Sequence, residues 1–253
     1  VAALSGYAKA SACQSQHVQP MLTAAQCCAV EEFLRDFPKN EQLVLPERLS
    51  KQLLALAGFP VSVPVVAHTA MQAADAAEAF GYPVALKVES YVIQHKTDVG
   101  GVRLGLQDRA AVKEAFLQMD SAMKRLDPSA CVTVQPMAQS GFEVMLGAAR
   151  LHDTPLMAAG MGGIYAEAFQ DIAFRLAPLQ EGQAERMLQS LRCAPVLNGF
   201  RTPPLDRAGV CQLLQRLSEL MQAFAQIREV DLNPCRVYEN GCAILDARIV
   251  LQL

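Results

Sequence analysis

Strand-like runs alternate with helical ones along most of this chain, and the strand-like runs are only partly apolar. Val102–Leu106 alternates in polarity, and Val61–Val66 and Ile227–Leu232 mix β-branched residues with polar ones. Strands sandwiched between helix layers read as near-continuous apolar runs, whereas sheets covered on one face read as mixed. The pattern therefore predicts an α+β fold rather than a doubly wound parallel sheet. Leu45-Pro46-Glu47 opens a helix, with Pro46 in its first turn, Leu49, Leu53, Leu54 and Leu56 on one face, and Gly58 as its stop. Thr69 caps a helix over Ala70–Phe80 and Asp108 caps one over Arg109–Arg125. Further helices are expected at Leu179–Leu191 and Leu205–Ala225. The remaining strands fall at Val84–Val88, Val132–Met137, Phe142–Ala149, Leu156–Ala159 and Ala243–Leu251, with mixed strand and turn signals over Asp171–Pro178.

Residues 1–44 read as a linker with peripheral helices at Val1–Ala12 and Ala24–Arg35. The opening residues resemble a helix cut from a larger polypeptide. Residues 45–253 form the expected folded domain, with a lid lobe over about 60–134 and a second lobe over about 138–253.

A net charge of −3 lacks the basic excess that nucleic-acid binding needs. No apolar run approaches the ~20 residues that cross a bilayer, and no secretory signal opens the chain. Eight cysteines, at 13, 27, 28, 131, 193, 211, 235 and 242, form no C-x-x-C pair or zinc spacing. Free, buried thiols in a cytoplasmic protein are the expectation.

Reactive groups concentrate between Gly81 and Leu104. Lys87 stands on a short strand, His95, Lys96 and Asp98 follow in a polar loop, and Gly100-Gly101 opens the next strand. A lysine supplies a point charge and paired glycines admit backbone N–H groups to an anion, so the stretch reads as a phosphate grip. A neutral imidazole such as His95 can accept a phosphoryl group. A solvated strand-end lysine and a surface histidine are the plain alternatives.

Near the C-terminus Asp231-Leu232-Asn233-Pro234 ends one strand and Asp246 lies on the next. In a hairpin, Asn233 and Asp246 would converge on one cation, and a few oxygen ligands with open positions suit magnesium. The competing reading is that Asn233-Pro234 only terminates a strand. Gly160-Met161-Gly162-Gly163 allows a close backbone approach or a tight turn. Arg175 reads as a phosphate contact or an ion-paired surface group. Gln135-Pro136-Met137, followed by Glu143, reads as a hinge whose backbone meets a purine edge, or as a plain strand–loop–strand.

Three segments in order, HKTDVGGV at 95–102, GMGGIYAEAFQDIAFRLAPL at 160–179 and DLNP…LDARI from 231, resemble the ATP-grasp domain of the NDP-forming acyl-CoA synthetases. ADP-forming acetyl-CoA synthetase belongs to that group, and the succinyl-CoA synthetase β subunit is related to it. The resemblance runs from about Leu45 to the C-terminus. It implies an ATP-grasp fold, two α+β lobes with ATP between them. It implies Lys87 on the α/β-phosphates, Gln135, Pro136 and Met137 along the adenine, and Glu143 on the nucleotide. Gly100 and Gly101 flank the loop, and Gly162 and Gly163 lie near the phosphates with Arg175 beyond. Asn233 and Asp246 match the Mg2+ ligands. His95 matches the histidine that relays phosphate to a CoA-binding and ligase portion carried elsewhere, where acid and CoA bind. The implied reaction converts acid, CoA and ATP to acyl-CoA, ADP and phosphate.

Two stretches depart from the family pattern. Asp153-Thr154-Pro155 stands for Phe-Gly-Pro, and Ser90-Tyr91-Val92 for Ser-Pro-Asp. A nucleotide-sensing module without turnover, as in an acetyltransferase fusion, and a scaffold lobe that holds a partner are the competing functions. Retention of Lys87, His95, Asn233 and Asp246 together favours the enzyme.

Overall fold

The computed structural model describes residues 21–38, 41–93, 96, 99–163, 169–201 and 203–252. The expected helix at Val1–Ala12 and the side chain of His95 lie outside them. Local capping chemistry sets several elements where the sequence places them. Thr69 accepts from the Gln72 N–H at the start of Ala70–Phe80, and Asp108 accepts from the Ala111 N–H at the start of Arg109–Met123.

The smaller body is a four-stranded antiparallel sheet in the order β2-β5-β3-β4. Its strands are β2 (Val65–Ala67), β3 (Val84–Glu89), β4 (Val102–Leu106) and β5 (Cys131–Pro136). Helices Ala70–Phe80 and Arg109–Met123 cover one face. Ala73, Ala74 and Ala77 are fully buried, and their small side chains let the first helix settle against Val84, Val132 and Val134.

The larger body is a seven-stranded sheet in the order β1-β11-β9-β6-β7-β8, with β10 paired to β9. Its strands are β1 (Gln42–Leu45), β6 (Phe142–Leu151), β7 (Thr154–Met161), β8 (Ile172–Leu176), β9 (Ile227–Val237), β10 (Cys242–Ile244) and β11 (Arg248–Gln252). Val210, Leu213, Leu214, Leu217, Leu220 and Met221 form one buried stripe of helix Arg207–Ala223 and pack over the sheet.

Four differences from the sequence reading have identifiable physical causes. Gln42–Leu45 is a strand that pairs with the C-terminal strand, and Ala24–Arg35 buries Val30 and Leu34 in the same core, so part of 1–44 belongs to the larger body. The helix that the sequence opens at Leu45-Pro46-Glu47 starts at Glu47, with Pro46 as its cap. We call that helix αE. The predicted Ala243–Leu251 strand is split into β10 and β11, leaving Leu245, Asp246 and Ala247 between them. Finally, β9 does not end at Leu232 but runs on through Asn233-Pro234 to Val237. The register between Val144 and Leu146 of β6 shifts there, and a bulge accommodates a proline that has no N–H for the ladder. The seven described cysteines are all free, with Cys193 and Cys235 buried and Cys28 exposed.

Candidate functional site

A cleft of about 910 Å3 lies between the two bodies. The smaller body contributes β3, β4 and β5. The larger contributes the start of αE, the bulged part of β9 and the break between β10 and β11. Lys87, Gln135, Pro136, Met137, Glu143, Asn233 and Asp246 all line it. Residues from 87 to 246 are thus brought to one place.

Gly100, Gly101, Gly162, Gly163 and Arg175 do not line the cleft, and packing accounts for most of them. A Cβ on Gly162 would lie 2.5 Å from the Val144 carbonyl carbon, so only glycine lets this segment pass under β6. A Cβ on Gly101 would lie 2.5 Å from Val88 and 2.9 Å from the Lys96 carbonyl oxygen. Gly163 has φ +66° and donates its N–H to Asn233 Oδ1 at 3.2 Å, so it meets the cleft through that side chain. Arg175 is exposed on the edge strand β8 and donates to the Phe174 carbonyl.

The centre of the cleft is a charge cluster that sequence reasoning missed. Glu47, the first residue of αE, accepts from Lys87 at 2.7 Å and Lys51 at 2.9 Å through Oε1, and from Lys96 at 3.2 Å through Oε2. Lys51 also donates to Gln135 Oε1 and the Leu245 carbonyl, tying αE to β5 and to the β10–β11 break. Burial alone would raise the Glu47 pKa. Lys51, Lys87 and Lys96 together outweigh burial and hold it at about 2. Burial pulls Lys51 the other way, below the usual lysine range, with Glu47 opposing. The one local signal for this cluster was the Glu47–Lys51 spacing of i, i+4 on a helix, which usually marks a solvated pair.

A carboxylate held below its ordinary pKa stabilises the fold above that ordinary value and loses the contribution as pH falls through the shifted one. Glu47 therefore contributes stability that is present above about pH 4.5 and is lost between there and about pH 2. Its size is on the order of 3 kcal/mol. The expected result is a shallower acid limb for Glu47→Gln than for the parent in unfolding midpoints measured from pH 6 to pH 2. Parallel limbs would show that Glu47 does not titrate in this way.

Glu143 and Arg236 form the second polar group. They face each other across β6 and β9, and Arg236 Nε and Nη2 both reach Glu143 Oε1. Arg236 Nη1 also donates to the Ala138 and Gln139 carbonyls, which fastens the connection between the two bodies to β9. The Met137 N–H donates to the Pro83 carbonyl. Arg236 was not anticipated, because its register opposite Glu143 depends on the bulge at Pro234.

Asn233 and Asp246 both line the cleft, but from a bulge and a break rather than from two neighbouring strands. Burial raises the Asp246 pKa and Glu47 adds repulsion, against the pull of Lys87, Lys96 and Lys51. Among the described residues no three His, Cys, Asp or Glu side chains gather as a metal site. The donors present are a carboxylate and an amide oxygen. Such a set fits a cation that takes few protein ligands and completes its shell with water and phosphate oxygens, which is the habit of Mg2+. At the loop where Ser-Pro-Asp gives way to Ser90-Tyr91-Val92, Ser90 Oγ accepts from the Val92 and Ile93 N–H groups and donates to Asp127.

The ATP-grasp domain family matches residues 36–251. The chain belongs to that family. Residues 36–44 fall inside the matched segment, in keeping with the place of β1 in the larger sheet. This ATP-grasp domain is 32% identical to the β subunit of an ADP-forming acetate–CoA ligase I from Pyrococcus furiosus, over 84% of this chain and 93% of that one. It is 36% identical to an ADP-forming 4-hydroxybutyrate–CoA ligase from Nitrosopumilus maritimus over 84% of this chain, where it spans 32% of the relative's length. Its fold matches a dinucleotide-forming acetyl-coenzyme A synthetase 1 from Ca. Korarchaeum cryptofilum, solved with coenzyme A and Ca-AMPCP. That match has a TM-score of 0.79 and 32% identity, over 88% of this chain and 98% of that one. The same synthetase, solved with coenzyme A and Mg-AMPPCP and with its phosphohistidine segment pointing towards the nucleotide site, matches at a TM-score of 0.75 and 29% identity. There the match covers 90% of this chain and 100% of that one. No helix among the described residues is long and apolar enough to cross a membrane.

Proposed function

We propose that this ATP-grasp domain is the ATP half-site of an ADP-forming acyl-CoA synthetase, with His95 as the residue that carries phosphate away from the nucleotide. The observation that carries the reading is one cleft that gathers Lys87, Gln135, Glu143, Asn233 and Asp246 from both lobes of an ATP-grasp fold. The cleft's volume suits a nucleotide. The chain spans about a third of the Nitrosopumilus ligase, and in this reading acid and CoA bind mainly in a further portion of the enzyme.

In this reading Pro136 and Met137 flank the base, and Glu143, held by Arg236, faces the nucleotide. Lys87 neutralises phosphate oxygens. Asn233 and Asp246 hold Mg2+, which when bound draws charge from the β/γ oxygens. The His95 imidazole attacks the γ-phosphorus, a P–N bond forms, the bond to the β–γ bridging oxygen breaks, and ADP leaves with that electron pair. Positioning and charge neutralisation supply most of the catalysis in such a transfer. The phosphoryl group then passes to the acid as an acyl phosphate, from which CoA displaces phosphate. Gly163 meets the cleft through Asn233, so in this reading Gly162 and Gly163 lie near the phosphates, with Gly100, Gly101 and Arg175 on the surrounding loop and strand. The charge cluster favours this reading over a silent scaffold lobe, which has no use for one buried and two part-buried lysines around one carboxylate.

Calorimetric titration of the chain with ATP, with and without Mg2+, tests the reading. Binding is expected to depend on Mg2+, and Asp246→Ala is expected to lose most of that dependence. Equal binding with and without the metal in the parent would remove Asn233 and Asp246 from this role, and no binding at all would overturn the assignment.

A further inference from the structure

We propose that Glu47 is a built-in counter-anion of the cleft, occupying Lys87 and Lys96 until a phosphate group takes them over. The inference rests on the reading of the cleft as a phosphate site. Its basis is an asymmetry among the three lysines. Lys51 is almost fully buried and has two further acceptors, Gln135 Oε1 and the Leu245 carbonyl, so it stays in place whatever Glu47 does. Lys87 and Lys96 line the cleft, and among the described residues each has Glu47 as its side-chain acceptor. An ammonium has three N–H donors. Among the described residues both cations therefore keep unused donors at the edge of a partly enclosed cavity, where an unpaired charge is costly and an arriving anion is strongly favoured.

The two Glu47 oxygens divide the lysines in a telling way. Oε1 holds Lys51 and Lys87, and Oε2 holds Lys96, so one planar anion bridges αE, β3 and the residue that follows His95 in the chain. A phosphate group offers more oxygens and more charge to the same cations. Without Glu47 the three ammoniums would repel one another across the cleft. With it, the nucleotide must exchange one anion for another. Glu47 thus keeps the lysines assembled at the cost of some anion affinity, and it favours ligands of high charge over single weak anions.

Glu47→Gln keeps the shape and removes the competing charge. The probe is inorganic phosphate, read by calorimetry and by the unfolding midpoint of the chain. The variant is expected to unfold at a lower temperature than the parent in plain buffer, yet to bind phosphate about tenfold more tightly and to gain more in midpoint per increment of phosphate. A merely structural Glu47 would lower the midpoint and leave the phosphate increment unchanged, and that result would overturn the proposal. Lys96→Met added to Glu47→Gln should return phosphate affinity to the parent level. A gain that survives in the double variant also overturns the exchange. If Glu47→Gln does not fold, Glu47→Asp serves. Its shorter carboxylate should loosen the hold on Lys96 and give a smaller gain in the same direction, and no gain counts against the proposal. A parent that binds Mg·ATP beside a variant with no gain sinks this inference alone, whereas a parent that binds no nucleotide sinks the functional reading.

Discussion

His95→Ala will bind Mg·ATP as the parent does and will take no phosphate from it. With γ-labelled ATP the parent is expected to carry label that is stable in base and lost in acid, the behaviour of a phosphoramidate. The variant is expected to carry none. When the chain is combined with the ligase portion, acyl-CoA synthesis should fall to the level of a blank. The separation of the two readouts follows from the chemistry. Imidazole supplies a nucleophilic nitrogen near neutral pH, and methyl in its place supplies nothing that can hold phosphate. In the proposed reading nucleotide affinity comes from charges elsewhere, on Lys87, Asp246 and their neighbours, which line the cleft. Label retained in His95→Ala would move the nucleophile to another residue. Lost binding would mean that the histidine holds ATP rather than accepting its phosphate.

Lys87→Ala is expected to weaken Mg·ATP binding about a hundredfold, which corresponds to roughly 2.7 kcal/mol. Removing one member of a largely desolvated charge pair costs about that much or more. Lys87 is one of three cations on Glu47, and its side chain is only 12% exposed. The variant leaves Glu47 facing the cleft with two lysines in place of three, so an approaching triphosphate loses an attraction and meets a less neutralised carboxylate. The fold should survive, since Lys51 still neutralises Glu47 and ties it to Gln135 and Leu245. Isothermal titration beside a thermal melt checks both halves. Unchanged affinity with an unchanged melt would take Lys87 out of the phosphate site and leave it as a structural partner of Glu47.

The two expectations differ in where they could have been read. His95 is argued from the chemistry of one side chain and from the resemblance carried by HKTDVGGV, GMGG and DLNP…LDARI. Lys87 gains its magnitude from Glu47, a residue in another lobe that the sequence presents only as the start of a helix. Arg236 is similar. Opposite Glu143 it fastens the connection between lobes, yet in the sequence it is a lone arginine after a proline.

By itself the sequence determined the elements whose ends depend on a few neighbouring residues. Thr69 and Asp108 cap their helices because a side-chain oxygen and an N–H three residues on are always within reach. Val102–Leu106 is a strand with the limits its alternation marks. The partly polar strands pointed to an α+β fold rather than a doubly wound parallel sheet, and the strand pairs are antiparallel.

The tertiary structure decided everything that needs a distant partner. Gln42–Leu45 becomes a strand only because Arg248–Gln252 lies alongside it. Asn233-Pro234 stays within β9 because the bulge opposite β6 spares the proline's missing N–H, and that same bulge turns Asn233 towards the cleft. Glu47, Lys51, Lys87 and Lys96 come from one helix, one strand and the segment after it. Periodicity reports which face of an element is apolar, over a few residues. It carries no information on which charged side chains from separate elements will share one dry cavity, and in this protein that sharing builds the centre of the cleft.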